Sequence, residues 1–328
     1  MSSSPLLSPN SHKYVVFAST ASSGSLSKII AKCDEQESNL WIASEIIYHD
    51  KDDYKTKLTP SEKFYLDQIL AFFASSDGIV GENLALHFIK HVQIPEVRYF
   101  YYFQGMMEAV HAKVYSNLIT TFIDSQEERE GLFDSINTSP IIKKKADWCL
   151  RWMNLTDETP KDFFRHLVAF LAVEGIFFAG SFASIFWLRD RGILANSLGV
   201  ANELISRDET LHADFAALLV NEYAGIDRPS DEEIKEILLS ALDLEKEFVA
   251  SSLPDKLLGM NKELMFQYLE FITDVWLESL NVERVFDVEN PFPFMTQMGQ
   301  RRKDLFFEKT KTNYARATTN QEMDWDAI

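Results

Sequence analysis

Residues 167–188 read LVAFLAVEGIFFAGSFASIFWL, and their one charge is Glu174. As a helix this stretch is about 33 Å long, enough to cross a bilayer. Two settings bury such a helix on every side. One is a membrane; the other is the middle of a large helical bundle. A carboxylate halfway along a membrane span needs a partner or a function. No second stretch of this length and apolarity occurs, so the bundle is the expectation, with no membrane partner.

Composition supports an all-α reading. The chain has 328 residues, with only 12 glycines and 10 prolines to make turns, and 25 phenylalanines to fill a core. An average chain of this length would carry about 40 glycines and prolines. The net charge of −18 excludes ordinary nucleic-acid binding, which depends on Lys and Arg displacing counterions from phosphates. Two cysteines, Cys33 and Cys149, exclude a disulfide framework and a Cys-rich zinc site. They fit a reducing compartment. The N-terminus shows neither a basic region nor the apolar stretch of a signal peptide. A cytoplasmic protein is expected.

Helix signals follow one another along the chain. Thr59-Pro60-Ser61-Glu62 is a capping box with proline in the first turn, opening a helix expected to run to about His91. A second starts near Pro95 and reaches about Phe122. Shorter ones fit 126–136 and 141–153. Pro160 opens the long apolar helix, and Gly192 closes it. Another covers roughly 199–224, Ser230-Asp231-Glu232-Glu233 caps one reaching about 252, and a final pair covers roughly 261–281. Residues 1–28 read as a flexible Ser-rich arm, 29–309 as one helical domain, and 310–328 as a flexible tail. The tail carries Met323, Trp325 and Ile328 among acids, the pattern of a docking peptide. The run Lys143-Lys144-Lys145 reads as an exposed face.

Two fragments carry the chemistry. Glu108-Ala109-Val110-His111 and Glu209-Thr210-Leu211-His212 are both Glu-x-x-His. On a helix, residues i and i+3 project from one face. A carboxylate and an imidazole from each of two facing helices make half of a dinuclear metal site. One carboxylate from each of two further helices makes the other half, and Glu174 and Asp77 are acids inside apolar helical runs. Either acid alone also fits a hydrogen-bonded core carboxylate. Beside the two Glu-x-x-His fragments, metal ligation accounts for all six. Four carboxylates balance two divalent cations, with neutral His111 and His212 completing the set. Oxygen-rich ligation with imidazole and no thiolate suits iron or manganese, metals that can activate dioxygen.

Tyr115 continues the stripe of Glu108 and His111 at offsets 0, 3 and 7. It is either a core tyrosine or a phenol placed for one-electron oxidation. Phe178 and Phe182 lie one and two turns after Glu174, and Ile205 one turn before Glu209. They could wall such a radical from water, or simply pack the core.

The segments AFFASSDGIVGENL (71–84), MEAVHAKVY (107–115), PIIKKKADW (140–148), AVEGIFFAGSFASIFWL (172–188), NELISRDETLH (202–212) and ENPFPFM (289–295) resemble the small, radical-generating subunit of class I ribonucleotide reductase, in its eukaryotic and large-virus branch. The resemblance runs from about Trp41 to Tyr314. It implies a ferritin-like helical bundle, assembled as a homodimer, with two iron ions per subunit and manganese as the alternative. It maps the ligands onto Asp77, Glu108, His111, Glu174, Glu209 and His212, and the stored radical onto Tyr115. It implies a radical-transfer path through Trp41, Asp208 and His111, with Tyr314 near the tail. It implies that the tail docks on a large catalytic subunit, where ribonucleoside diphosphates are reduced at the expense of thiols. The chain departs from the family pattern at Leu40, where an aromatic usually precedes the tryptophan. It departs again at Gly81, in place of a commoner Asn, and at its Trp325-Asp326-Ala327-Ile328 end. Two other readings keep the scaffold: a di-iron oxidase with a substrate cavity, and a radical-dead partner subunit, which would be expected to have lost ligands.

Overall fold

Thr59 and Glu62 satisfy each other's backbone at the start of a long helix. The Thr59 amide donates to Glu62 Oε2 at 2.8 Å, and the Glu62 amide to Thr59 Oγ1 at 3.2 Å. Ser230 and Glu233 form the same reciprocal pair at 2.7 and 3.3 Å. Each box occupies amide donors that a helix start leaves unpaired.

The computed structural model describes residues 24–83, 88–153, 159–253 and 259–295; the side chains at 77, 79, 81–83 and 153 lie outside that description. Thirteen α-helices occur among the described residues, and no β-strand. They are α1 (Ser25–Ser38), α2 (Lys51–Thr56), α3 (Pro60–Asn83), α4 (Ile89–His91), α5 (Pro95–Phe122), α6 (Gln126–Phe133), α7 (Ser135–Thr138), α8 (Pro140–Met153), α9 (Pro160–Ala172), α10 (Ala179–Asp190), α11 (Leu198–Tyr223), α12 (Asp231–Ser252) and α13 (Lys262–Ser279). The chain divides into two compact units, residues 1–291 and 292–328. In the second, the described residues 292–295 form a short turn in which the Phe292 and Phe294 rings stack at 5.1 Å.

Within the first unit α3 packs on α5, α5 on α11, and α11 on α9. α3, α5 and α11 carry Asp77, Glu108, His111, Glu209 and His212, and Glu174 follows α9. The segment Pro160–Asp190 is long and apolar enough to cross a membrane, yet 94% of its most apolar window is buried inside the protein. It is not one regular helix. A wide π turn, Val173–Phe177, separates α9 from α10 and carries Glu174. Glycines in the left-handed region follow α10 and α11, Gly192 at φ 69° and Gly225 at φ 53°, where a Cβ would be strained.

Of the helix expected over 59–91, α3 is described through Asn83 and α4 from Ile89 to His91; residues 84–87 between them lie outside the described residues. Three features differ from the sequence reading. The pair expected over 261–281 is the single helix α13. The arm expected over 1–28 gives way to α1 at Ser25, because Ser25 Oγ donates to Glu222 Oε2 at 2.6 Å, Lys28 pairs with Glu222, and Ile29 and Cys33 are buried. The third is Lys145. Lys143 and Lys144 are exposed, whereas Lys145 is 1% exposed, its Nζ 2.6 Å from Glu245 Oε2. Ile141, Lys145 and Trp148 stand at offsets 0, 4 and 7, so helical periodicity turns the third lysine inward. The tail 310–328 and Tyr314 lie outside the described residues.

Candidate metal centre

The two Glu-x-x-His fragments meet in the core. Glu108 and His111 come from α5, Glu209 and His212 from α11, and Glu174 from the π turn; all five are buried. Ligand atoms of Glu108, Glu174, Glu209 and His212 lie within 4.8 Å of one another. His111 Nδ1 is 2.9 Å from Glu209 Oε1 and 3.5 Å from Glu108 Oε2. His212 Nδ1 is 3.1 Å from Glu108 Oε1 and 3.0 Å from Glu209 Oε2. Both imidazoles thus present Nδ1 to the same carboxylates. Asp77 lies on α3, one turn beyond Phe73; its side chain is outside the described residues.

The electrostatics show what such a cluster needs. Burial opposes a proton on His111, but the charge of Glu209 and hydrogen bonds to Asp208, Glu108 and Glu209 outweigh it. His111 is held well above the usual imidazole value. The same opposition, with hydrogen bonds from Glu108 and Glu209 prevailing, brings His212 up to about 9. Burial would raise Glu209, yet the charge of His111 and hydrogen bonds from both imidazoles hold it well below the usual carboxylate range. Three buried carboxylates so close together require positive charge. Among the described residues of the metal-free chain, a proton on each imidazole supplies such charge. Divalent cations meet the same need with better geometry, so the donor set fits a dinuclear metal centre.

Behind His111 stands a second carboxylate. His111 Nε2 is 3.1 Å from Asp208 Oδ2, and Trp41 Nε1 donates to that oxygen at 2.7 Å. The Trp41 and His111 rings stack with centroids 5.8 Å apart and planes 20° from parallel. Arg207 reaches both Asp208 Oδ1, at 3.4 Å, and the carbonyl of Asn39, at 2.6 Å. With Nε2–H given to Asp208, the free His111 Nδ1 is the tautomer a metal requires.

Tyr115 is buried with Phe73, whose ring centroid is 4.7 Å away. Phe73 in turn meets Phe178 at 5.6 Å and Phe182 at 5.4 Å, and those two stack on each other at 5.8 Å. Ile205 is buried on α11.

Sequence reasoning missed Phe73, Arg207 and Gln104. Gln104 is fully buried, and its Nε2 lies 3.1 Å from Glu174 Oε1 and 3.4 Å from Glu108 Oε1. It stands one turn before Glu108, so an amide at offset −4 on the ligand stripe was the readable signal.

A helical bundle with two inward Glu-x-x-His pairs and a further buried carboxylate defines the class of dinuclear carboxylate-bridged metal proteins. Comparison with known proteins narrows this. The profile of the family described as "Ribonucleotide reductase, small chain" matches residues 25–291. The ribonucleoside-diphosphate reductase small chain of Neurospora crassa is 46% identical over 98% of this chain and 77% of its own length. Subunit M2 of Homo sapiens is 45% identical over 95% of this chain and 77% of its own. The small chain of vaccinia virus is 42% identical over 98% and 97%. Among solved structures, the Rnr4 homodimer of Saccharomyces cerevisiae superposes with a TM-score of 0.79 at 32% identity, covering 92% of this chain and 93% of that one. The dimanganese(II)-NrdF of Streptococcus sanguinis shares the fold at a TM-score of 0.70 and 19% identity. This chain belongs to the ribonucleotide reductase small-subunit family.

Proposed function

We propose that this small subunit generates and stores a radical on Tyr115 and delivers it to a large catalytic subunit that reduces ribonucleoside diphosphates. The observation that carries the reading is the buried carboxylate–imidazole cluster on the same helix stripe as a buried tyrosine. Asp77, Glu108, His111, Glu174, Glu209 and His212 hold two iron ions in this reading, with manganese the alternative metal. Bound iron supplies the dioxygen-driven oxidation of the Tyr115 phenol by one electron and one proton.

The chain's own residues do the rest. Phe73, Phe178, Phe182 and Ile205 exclude water from Tyr115, which lengthens the life of a radical there. Asp208 Oδ2 accepts from both Trp41 Nε1–H and His111 Nε2–H. It therefore ties the indole to the ligand imidazole, so electron transfer along this line can be matched by proton movement at one carboxylate oxygen. Tyr314 continues the path and residues 310–328 dock on the large subunit. The active small subunit is a homodimer, working in the cytoplasm.

Electron paramagnetic resonance of the metal-free chain, after anaerobic ferrous iron and then oxygen, tests the reading. Wild type gives a tyrosyl signal; Tyr115→Phe takes up two irons and gives none. The same chain truncated after Asn320 keeps the signal and loses affinity for the large subunit. Two irons per chain and oxygen uptake without a tyrosyl signal in wild type would favour a di-iron oxidase instead.

A further inference from the structure

The π turn that carries Glu174 is gripped by two donors from other helices. Trp276, on α13, donates its Nε1–H to the carbonyl of Gly175 at 2.9 Å. Lys145, on α8, donates to the carbonyl of Phe177 at 3.1 Å. Both side chains are buried. The indole sits so close that a Cβ at position 175 would lie 2.4 Å from Trp276 Nε1, so only glycine fits there.

Lys145 is held at length in an apolar setting. Its Nζ lies 3.3 Å from the Phe72 ring centroid, 4.5 Å from that of Phe248 and 4.8 Å from that of Phe177. Glu245, fully buried, balances the charge at 2.6 Å. A buried ion pair is a poor way to gain stability, since apolar residues of the same volume usually do as well or better. An apolar replacement could supply neither these cation–π contacts nor the one to the Phe177 carbonyl, and only the latter is a hydrogen bond to the turn's backbone.

A π turn holds one residue more than the regular ladder. If it relaxed to an α-helix, residues on one side would rotate by about 100° relative to the other. Glu174 and Phe178, which lie within and just beyond the turn, would no longer face the site together. Breaking the i→i−4 ladder also shifts carbonyls off their usual amide partners, and such groups need donors.

We infer that Trp276 and Lys145 are positioning residues of the metal centre: their two N–H groups clamp the Gly175 and Phe177 carbonyls and keep the turn, and hence Glu174, in register. Glu245 serves by keeping Lys145 charged and in place. This rests on Glu174 being a metal ligand.

Two variants of the full chain test it: Trp276→Phe, and the double variant Lys145→Met with Glu245→Leu, which removes the ion pair without stranding a charge. Each metal-free protein is titrated anaerobically with ferrous iron, followed by near-infrared magnetic circular dichroism, and is melted separately. The double variant is expected to melt within a few degrees of wild type. Both variants should bind at least one ferrous equivalent about tenfold more weakly or worse, with a changed ligand-field band pattern. Wild-type affinity and bands in both would overturn the clamp. If the double variant does not fold, Trp276→Phe decides by the same two readouts. A wild-type chain that takes up no ferrous iron would overturn the ligand reading, and the clamp with it.

Discussion

The two Glu-x-x-His pairs are alike in sequence and unlike in what lies behind them. On α5, the far nitrogen of His111 meets Asp208, and Asp208 meets Trp41. On α11, His212 Nε2 is buried and finds no hydrogen-bonding protein group among the described residues. Its neighbour is the edge-on ring of Phe100, 6.3 Å away and itself stacked on Phe215. One half of the centre is therefore wired to the indole of Trp41, and the other ends against hydrocarbon. In the proposed reading, the motif would recruit the metal, and the residue behind the imidazole would decide whether that half also communicates.

The sharpest way to break this comparison is Asp208→Ala. Turnover with the large subunit should fall to background, while iron binding weakens by about 10–100-fold. Deoxyribonucleotide formation and iron per chain, measured together, check it. Turnover above a tenth of wild type would mean that the outward path does not start at His111.

A pH series sharpens it. In the metal-free chain His212 is raised from its usual value to about 9. A base whose folded-state value is raised contributes stability that is fully present below about 6.5 and is lost as pH rises through about 9. The melting temperature of the metal-free protein should thus decline between those values. The iron-loaded protein should not follow it, because metal has replaced the proton. Parallel curves would show that the imidazole protons are not what the cations displace.

The smallest effect is expected at Phe100→Leu, behind the unwired half. Stability should drop by about 1 kcal/mol in denaturant titration, with turnover unchanged. A large loss of turnover would give the His212 side a role in communication too.

Much of the candidate site was legible because buried acids and imidazoles leave marks on sequence. Acids inside apolar runs, such as Glu174, are costly unless something uses them, and two Glu-x-x-His pairs share a spacing that only a helix turns into one face. Helix starts were equally plain at Thr59 and Ser230, where side chains do the capping. Other features left weaker marks. The π turn has no sequence signature of its own; tertiary donors from Trp276 and Lys145 meet its carbonyls. α1 buries little more than Ile29, Cys33 and Gln36, so its periodicity is faint in a Ser-rich stretch. Lys145 was hidden among three lysines, although its offset from Ile141 marked it as inward. Gln104 was overlooked because an amide carries no charge to betray its burial.

The apolar span Pro160–Asp190 has one more consequence, for the making of the protein. Its packing partners α11 and α12 follow it in the chain. At about 5–20 residues per second, the roughly 60 residues between Asp190 and the end of α12 take several seconds to emerge. Through that interval the nascent polypeptide displays a segment as greasy as a transmembrane helix. An ionised carboxylate near the centre of such a segment adds a few kcal/mol to the work of entering a bilayer. Glu174 thus discourages misdelivery to a membrane before the bundle exists to receive it.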